Sequence, residues 1–113
     1  FPSYREGLGL AAIEAMGAGL PLIVSDNRGT REYAVNGENS IVCECNNVSQ
    51  FIKAVHLLSS DDELCKKLGR NGYSCADKYA IENSLAEMAE IYEKYVDIPT
   101  LKTETEVLSG ENR

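Results

Sequence analysis

An α/β fold, with a partial parallel sheet and flanking helices, is what this sequence predicts, and three observations predict it. The run Leu20-Pro21-Leu22-Ile23-Val24-Ser25 is continuously apolar until its end, the pattern of a strand buried on both faces. The segment before it, residues 9–18, holds Leu10, Ala11, Ala12, Ile13, Ala15, Met16 and Ala18, a strong helix composition thin enough to lie close to a sheet. A second short apolar run, Ile41-Val42-Cys43, follows, and beyond it the periodicity is helical.

Each element has a local reason. Phe1-Pro2-Ser3-Tyr4 reads as an extended segment leaving a strand, because Pro2 pushes the residue before it out of helix. Gly17 and Gly19 end the first helix, with Gly19 in the C′ position. Pro21 fits only the first position of the next strand. Asp26-Asn27-Arg28-Gly29 is a loop, Thr30 a cap for a short helix through Val35, and Asn36-Gly37 a turn. Asn46-Asn47-Val48-Ser49 starts a helix with Phe51, Ile52, Val55 and Leu58 on its inner face. Ser60-Asp61-Asp62-Glu63 has the spacing of a capping box. It opens a helix to about Tyr79 carrying Leu64, Leu68 and Tyr73, with Gly69 and Gly72 weakening its middle. A last amphipathic helix, residues 81–96, aligns Leu85, Met88, Ile91, Tyr92 and Tyr95. Residues 97–113 have few large apolar side chains and read as a disordered tail.

The 113 residues suffice for one modest domain, but two or three strands are few for a self-sufficient parallel sheet. The first residue is Phe1, without a secretory leader before it, so the chain is expected to be part of something longer. The net charge is −7 without a basic run, which argues against nucleic acid as a partner. No apolar stretch has the roughly 20 residues of a membrane helix. Cys43, Cys45, Cys65 and Cys75 form no Cys-x-x-Cys pair and there is one histidine, His56, so free thiols in a reducing cytosol are expected and a metal site is not. His56, on the edge of its helix, is a boundary residue and not a catalyst.

The stretch Ser3-Tyr4-Arg5-Glu6-Gly7-Leu8-Gly9-Leu10-Ala11-Ala12-Ile13-Glu14 carries the chemistry, and it admits three readings. Gly7, Gly9 and Ala12 match a dinucleotide fingerprint, with Asp26 near the place of its ribose-binding acid. That fingerprint should follow a hydrophobic strand directly, and Arg5-Glu6 stands there instead. In the second reading the stretch is an ordinary packed helix start, with Glu6 solvated and Glu14 pointing outward. In the third, the glycines bring backbone N–H groups of a helix amino end up to a phosphate, and both glutamates accept hydrogen bonds from sugar hydroxyls. A helical rise across the interval separates those carboxylates by roughly 12 Å.

Pro2-Ser3, Glu6-Gly7-Leu8-Gly9-Leu10, Glu14-Ala15-Met16, Gly19-x-Pro21 and Gly29-x-x-Glu32 together resemble the carboxyl-terminal signature of retaining GT-B glycosyltransferases, nearest to family four, also called group one. The likeness continues through Asn36-Gly37-Glu38-Asn39 and covers roughly residues 1–96. It implies the carboxyl-terminal half of a Rossmann-like nucleotide-sugar domain. Leu8 stands where the family usually has Phe, and Asn27-Arg28-Gly29 replaces a commoner small-residue loop.

By that resemblance Glu6 is the catalytic candidate, contacting hydroxyls of the transferred sugar near its anomeric carbon. Gly7, Leu8, Gly9 and Leu10 line the donor with backbone N–H groups, and Glu14 holds the ribose. Gly19 and Pro21 are structural, and Glu32 marks a loop near the cleft. The implied donor is a nucleotide sugar, expected to be UDP-linked, used without a metal or other cofactor. The missing partners are the amino-terminal acceptor-binding domain and the upstream Arg and Lys that stabilise the leaving group. The implied setting is cytoplasmic, at the inner membrane face, with the parent peripherally associated and serving cell-surface polysaccharide or glycoconjugate assembly. The chain alone is expected to be inactive, and an exposed apolar side on residues 81–96 favours self-association. A non-enzymatic interaction module is the remaining alternative.

Overall fold

A computed structural model of the chain describes residues 1–95. The tail reading for residues 97–113 lies outside the described residues. The chain divides into two compact units, residues 1–80 and a second beginning at Ile81. The first unit runs α1 (Leu10–Gly17), β1 (Ile23–Ser25), a 3-10 turn (Thr30–Glu32), β2 (Ile41–Cys43), α2 (Val48–Ser60), α3 (Asp62–Ala76) and a 3-10 turn (Asp77–Tyr79). The second contributes α4 (Ile81–Tyr95). The expected α/β class holds: a parallel two-stranded sheet with helices around it.

β1 pairs with β2 in parallel, Ile23 with Ile41, Val24 with Val42 and Ser25 with Cys43. Its other edge is also engaged. The Phe1 nitrogen donates to the Ile23 carbonyl at 2.8 Å, and the Ser25 N–H donates to the Phe1 carbonyl at 3.2 Å. One residue bonding both neighbours of Val24 is the parallel pattern, so the opening segment is extended beside β1, as its Pro2 requires. β1 is therefore flanked on both sides, which explains why Val24 is fully buried. The strand is shorter than the apolar run. Leu20 and Pro21 precede it, and Leu20 is exposed.

α1 ends as the glycine spacing predicts. Gly19 adopts φ +74°, its N–H donates to the Met16 carbonyl at 2.9 Å, and the Leu20 N–H reaches back to the Ala15 carbonyl at 3.1 Å. These two bonds satisfy the terminal carbonyls of the helix. α1 packs Ala12, Ile13 and Met16 into a core shared with Leu22, Val24, Tyr33 and Ala76.

Gly69 also lets α3 touch α1. A Cβ at Gly69 would collide with the Gly19 carbonyl oxygen, and one at Gly72 would stand 3.5 Å from Met16 Cγ. The face that packs carries Leu68, Gly69, Gly72 and Ala76, while Tyr73 turns outward. The inner face of α2 also differs from the expectation. Ala54 is its buried residue, with Phe51 and Leu58 half-buried beside it. Val48, Ile52 and Val55 are exposed, because the small Ala54 side chain sets the rotation of the helix toward the sheet.

Of three caps, two differ from the simplest sequence reading, and Asn47 does not. Asp61 caps α3, its Oδ1 accepting from the Leu64 N–H at 2.9 Å, while the Ser60 hydroxyl donates back to the His56 carbonyl. Asn47 caps α2 by accepting from the Gln50 N–H at 3.1 Å. Around Thr30, Asn27 does the capping, its Oδ1 accepting from the Thr30 N–H at 3.0 Å. The Asn36-Gly37 turn forms with Gly37 at φ +78° and is clamped by α3, since Lys67 Nζ donates to the Gly37 carbonyl and Asn71 Nδ2 to that of Glu38. Asn36 Oδ1 accepts from the Val42 N–H at 2.9 Å, which covers an amide on the outer edge of β2. All four cysteines are free, and burial pushes the Cys43 thiol up. Taken by itself, α4 leaves Leu85, Met88, Ile91, Tyr92 and Tyr95 at least half exposed.

Substitution at two glycines separates packing from propensity. Gly69→Ala is expected to cost about 1–3 kcal/mol, through overpacking against the Gly19 carbonyl. Gly17→Ala, whose Cβ would meet Ala76 Cβ at an ordinary 3.8 Å, is expected to gain about 0.5–1 kcal/mol from helix entropy. Urea unfolding of the two variants measures both, and equal shifts of the same sign would refute the close-packing account of α3.

Candidate functional site

Two loops meet at the carboxyl end of β1. The first, residues 3–9, connects the Phe1 segment to α1. The second, residues 26–30, leaves β1. A polar core holds the second loop: Thr30 Oγ1 donates to the Ser25 carbonyl at 2.6 Å and accepts from the Asn27 N–H at 3.1 Å. Asn27 then ties the loops together, its Nδ2 donating to the Ser3 carbonyl at 3.0 Å. Gly29 completes the contact. A Cβ there would lie 2.6 Å from the Glu6 carbonyl oxygen and 2.9 Å from that of Gly7. Gly29 has an ordinary φ of −69°, so closeness and not conformation demands glycine.

Gly9 is required for a different reason. Its φ is +83°, and a Cβ would meet Tyr33 Oη at 2.9 Å and the Phe1 ring at 3.0 Å. Its carbonyl accepts from Ala12 and Ile13, so the N–H groups of Leu10 and Ala11 stand ahead of the first helical bond. No side chain caps that end, and the first turn holds no charged residue. Leu8 is half-buried against the core, and its backbone leads into this turn.

Glu6 projects between two adjoining hollows. One, of about 420 Å³, is lined by Tyr4, Arg5, Glu6, Gly7, Asn27 and Arg28. The other, of about 570 Å³, is lined by Glu6, Gly7, Leu8, Arg28, Glu32 and Tyr79. Ser3 Oγ donates to Glu6 Oε1 at 3.0 Å, orienting the carboxylate. The fold thus brings Glu6, Gly7, Leu8 and Glu32 to one place. Glu14 lies on the exposed side of α1 and lines neither hollow. The helix begins only at Leu10, so the 12 Å helical spacing does not apply between the glutamates. The helical interval from Leu10 to Glu14 rises about 6 Å, and a bent loop supplies the rest.

Asp26, the ribose acid of the dinucleotide reading, is already engaged. Arg31 Nε donates to its Oδ1 at 2.7 Å and Arg31 Nη2 to its Oδ2 at 3.2 Å. These hydrogen bonds hold the Asp26 carboxyl below its usual range. Gly7 also follows a loop and not a strand. The dinucleotide reading is left without its acid and without its strand. His56 sits exposed on α2, away from both linings. Among the described residues no group of three or more His, Cys, Asp or Glu side chains is placed to hold a metal ion, and no helix is long and apolar enough to cross a membrane.

Sequence reasoning missed Tyr33 and Tyr79. Tyr33 is buried, its ring meets Tyr79 edge-on at 6.3 Å between centroids, and its hydroxyl has no hydrogen-bond partner. Burial first, then the nearby Glu6 charge, pushes its hydroxyl up to about 12. Nothing local in Glu32-Tyr33-Ala34 signals this. The signal is the Gly9 backbone it packs against, more than twenty residues earlier.

Residues 1–74 match the family described as Glycosyl transferases group 1. EpsD of Bacillus subtilis (strain 168), which carries a glycosyltransferase name, is 39% identical over 98 residues, covering 87% of this chain and 26% of EpsD. The D-inositol 3-phosphate glycosyltransferase of Streptomyces bingchenggensis is 32% identical over 91 residues, 80% of this chain and 20% of that protein. Among solved structures, the sucrose-phosphate synthase of Thermosynechococcus elongatus superposes with a TM-score of 0.77 at 28% identity, over 82% of this chain and 24% of that one. The chain therefore spans about a quarter or less of the length of the proteins it matches.

Two substitutions test the geometry. Gly29→Ala is expected to cost about 1–3 kcal/mol and to move the amide resonances of Glu6 and Gly7, because its Cβ enters their carbonyls. Unmoved resonances would show that the loops do not touch. Tyr33→Phe removes a buried hydroxyl without a partner and is expected to stabilise by about 1 kcal/mol. It has a pH signature too. The unfolded chain releases the Tyr33 proton near pH 10 and the folded chain near 12. Its contribution is thus full below pH 10 and lost as pH rises to 12. Urea midpoints of the variant should fall less steeply than those of the original across that window, with the smaller share of Tyr79, also raised by burial, remaining in both.

Proposed function

The chain belongs to the group 1 glycosyl transferases, and we propose that it is the donor-binding part of a larger GT-B enzyme of retaining family four, drawn from the carboxyl-terminal domain. The observation that carries this reading is the uncapped amino end of α1 beside a carboxylate, Glu6, held at the mouth of two hollows. Free N–H groups and the helix dipole favour an anion there, and a nucleotide sugar presents a diphosphate between two polyols.

Each residue then has one task. The N–H groups of Leu8, Gly9 and Leu10 donate to the diphosphate and to sugar oxygens, with Gly7 and Gly9 allowing the backbone to come close. Glu6 accepts from hydroxyls of the transferred sugar near the reacting carbon and favours the positive charge that grows there as the bond to the leaving group breaks. Glu14, one turn into α1 and solvent-facing, accepts from the ribose hydroxyls. Its separation from both hollows fits a ligand that stretches along the helix. No metal is assigned a part, and UDP is the proposed nucleotide.

The parent enzyme is proposed to act in cell-surface polysaccharide or glycoconjugate assembly, on the cytoplasmic side and at the membrane surface. The acceptor domain and the upstream cations of the resemblance are not among these residues, so turnover by the chain alone is not expected. The apolar side of α4 is proposed to meet that domain, or in its absence a second copy.

Titration of the 113-residue chain with UDP, followed by amide shifts, tests the reading. Shifts are expected at Gly7 through Glu14. Glu14→Ala is expected to weaken UDP binding about tenfold and pyrophosphate binding little, the loss of charge-assisted hydrogen bonds to ribose. NAD binding with UDP ignored would overturn the assignment. In the full-length enzyme, Glu6→Gln is expected to lower kcat by a factor on the order of 100, and an unchanged rate would remove its role.

A further inference from the structure

We propose that Arg5 and Arg28 form an oxyanion clamp beside the amino end of α1 that takes a phosphate or carboxylate group of a substrate. The two arginines come from different loops and line the same hollow of about 420 Å³, which Glu6 also lines. Neither guanidinium has an ion pair or a hydrogen bond among the described residues. Arg31, three residues beyond Arg28, is by contrast held by Asp26 in a two-point ion pair. The loop therefore spends one arginine on its own structure and leaves the other free.

The placement is built. Gly29 against the Glu6 and Gly7 carbonyls, and Asn27 Nδ2 on the Ser3 carbonyl, hold the Arg28 loop against the Arg5 loop. Glu6 is turned to the Ser3 hydroxyl at 3.0 Å and so does not neutralise either arginine through a direct bond. The lining thus carries two positive groups and one negative in a chain whose net charge is −7. Two like charges facing one hollow repel each other, and an oxyanion between them reverses that cost. A guanidinium presents paired N–H donors that match phosphate and carboxylate oxygens two at a time. The volume lies within the roughly 300–1,000 Å³ of small-molecule sites. The adjoining hollow carries Glu6 and Glu32 against Arg28 alone, so it suits hydroxyl-rich ligands better than anions. The arginine Arg28, which the motif comparison shows only as a departure from a small-residue loop, thereby acquires a function.

The test uses the 113-residue chain at constant ionic strength, with three probes: inorganic pyrophosphate, UDP and glucuronate. Pyrophosphate is expected to shift the amides of Arg5–Gly7 and Asn27–Gly29. Arg28→Gln and Arg5→Gln are each expected to weaken its binding about tenfold, and Arg28→Lys to recover only part of the loss. Both arginines are exposed, so the variants retain the fold. If UDP shifts the same six amides together with Leu8–Ala11, the anion is the donor diphosphate. If glucuronate shifts them and UDP does not, it is an acid on a sugar or acceptor. Either result supports the clamp. Pyrophosphate shifts confined to Leu8–Ala11, with Arg28→Gln binding as tightly as the original, would overturn the clamp and leave the donor reading standing. Shifts at Arg5–Gly7 and Asn27–Gly29 without any at Leu8–Glu14 for UDP would do the reverse. Absence of shifts from all three probes would overturn both.

Discussion

Everything at the site rests on one backbone approach, that of Gly29 to the carbonyl oxygens of Glu6 and Gly7. One loop leaves β1 and the other leaves the Phe1 segment beside it, and neither has regular structure to hold it. Buried backbone must find partners, and here Asn27 and Thr30 supply them inside the second loop and across to Ser3. With those bonds made, the loops close until only a hydrogen atom fits between them. Glu6 is thereby presented from a seam and not from a helix, which sets where its carboxylate stands.

The same seam decides which charges are committed. Asp26 and Arg31 satisfy each other across the loop, at the surface, where such a pair adds little stability but does fix geometry. Glu6 takes one weak tie, to a serine hydroxyl, and remains open to exchange it for a sugar hydroxyl. Tyr33 stands behind, its hydroxyl against Gly9 and buried without a partner. That local cost sits directly beneath the turn proposed to meet the diphosphate. The core accepts that unsatisfied group there.

A second set of close approaches holds the scaffold. α3 comes within contact of the Gly19 turn at the end of α1 because Gly69 has no Cβ to meet the Gly19 carbonyl. Fully buried Met16 and Leu68 fill what remains. The amino end of α1 can then point at the seam, since its other end is anchored by the Gly19 turn and by α3. The sheet is small, two strands with Phe1 alongside, and its rigidity comes from these helix contacts more than from ladder length.

Local patterns carried much of this fold. Every helix and both strands are legible from apolar spacing, from Asn47 before its helix, and from Gly19 and Gly37 at their turns, because those signals act within a few residues. Where two caps competed, at Ser60 or Asp61 and at Thr30 or Asn27, local reasoning chose the wrong neighbour. Hydrogen-bond geometry, and not residue type, separates them. The rotation of α2 was misread for a similar reason: Ala54 is small and weighs little in a pattern of apolar residues, yet smallness is what lets a helix approach a sheet. For the site, the sequence alone determined that Glu6, two glycines and a helix amino end lie in one short stretch, since covalent connection holds them there. Folding in three dimensions sets the rest: that Arg28, Tyr33 and Tyr79 join them, that Glu14 faces away from both hollows, and that Asp26 is already paired. Those outcomes are set by how chain segments twenty or more residues apart fit together in space, and close packing across such distances leaves no mark in neighbouring residues.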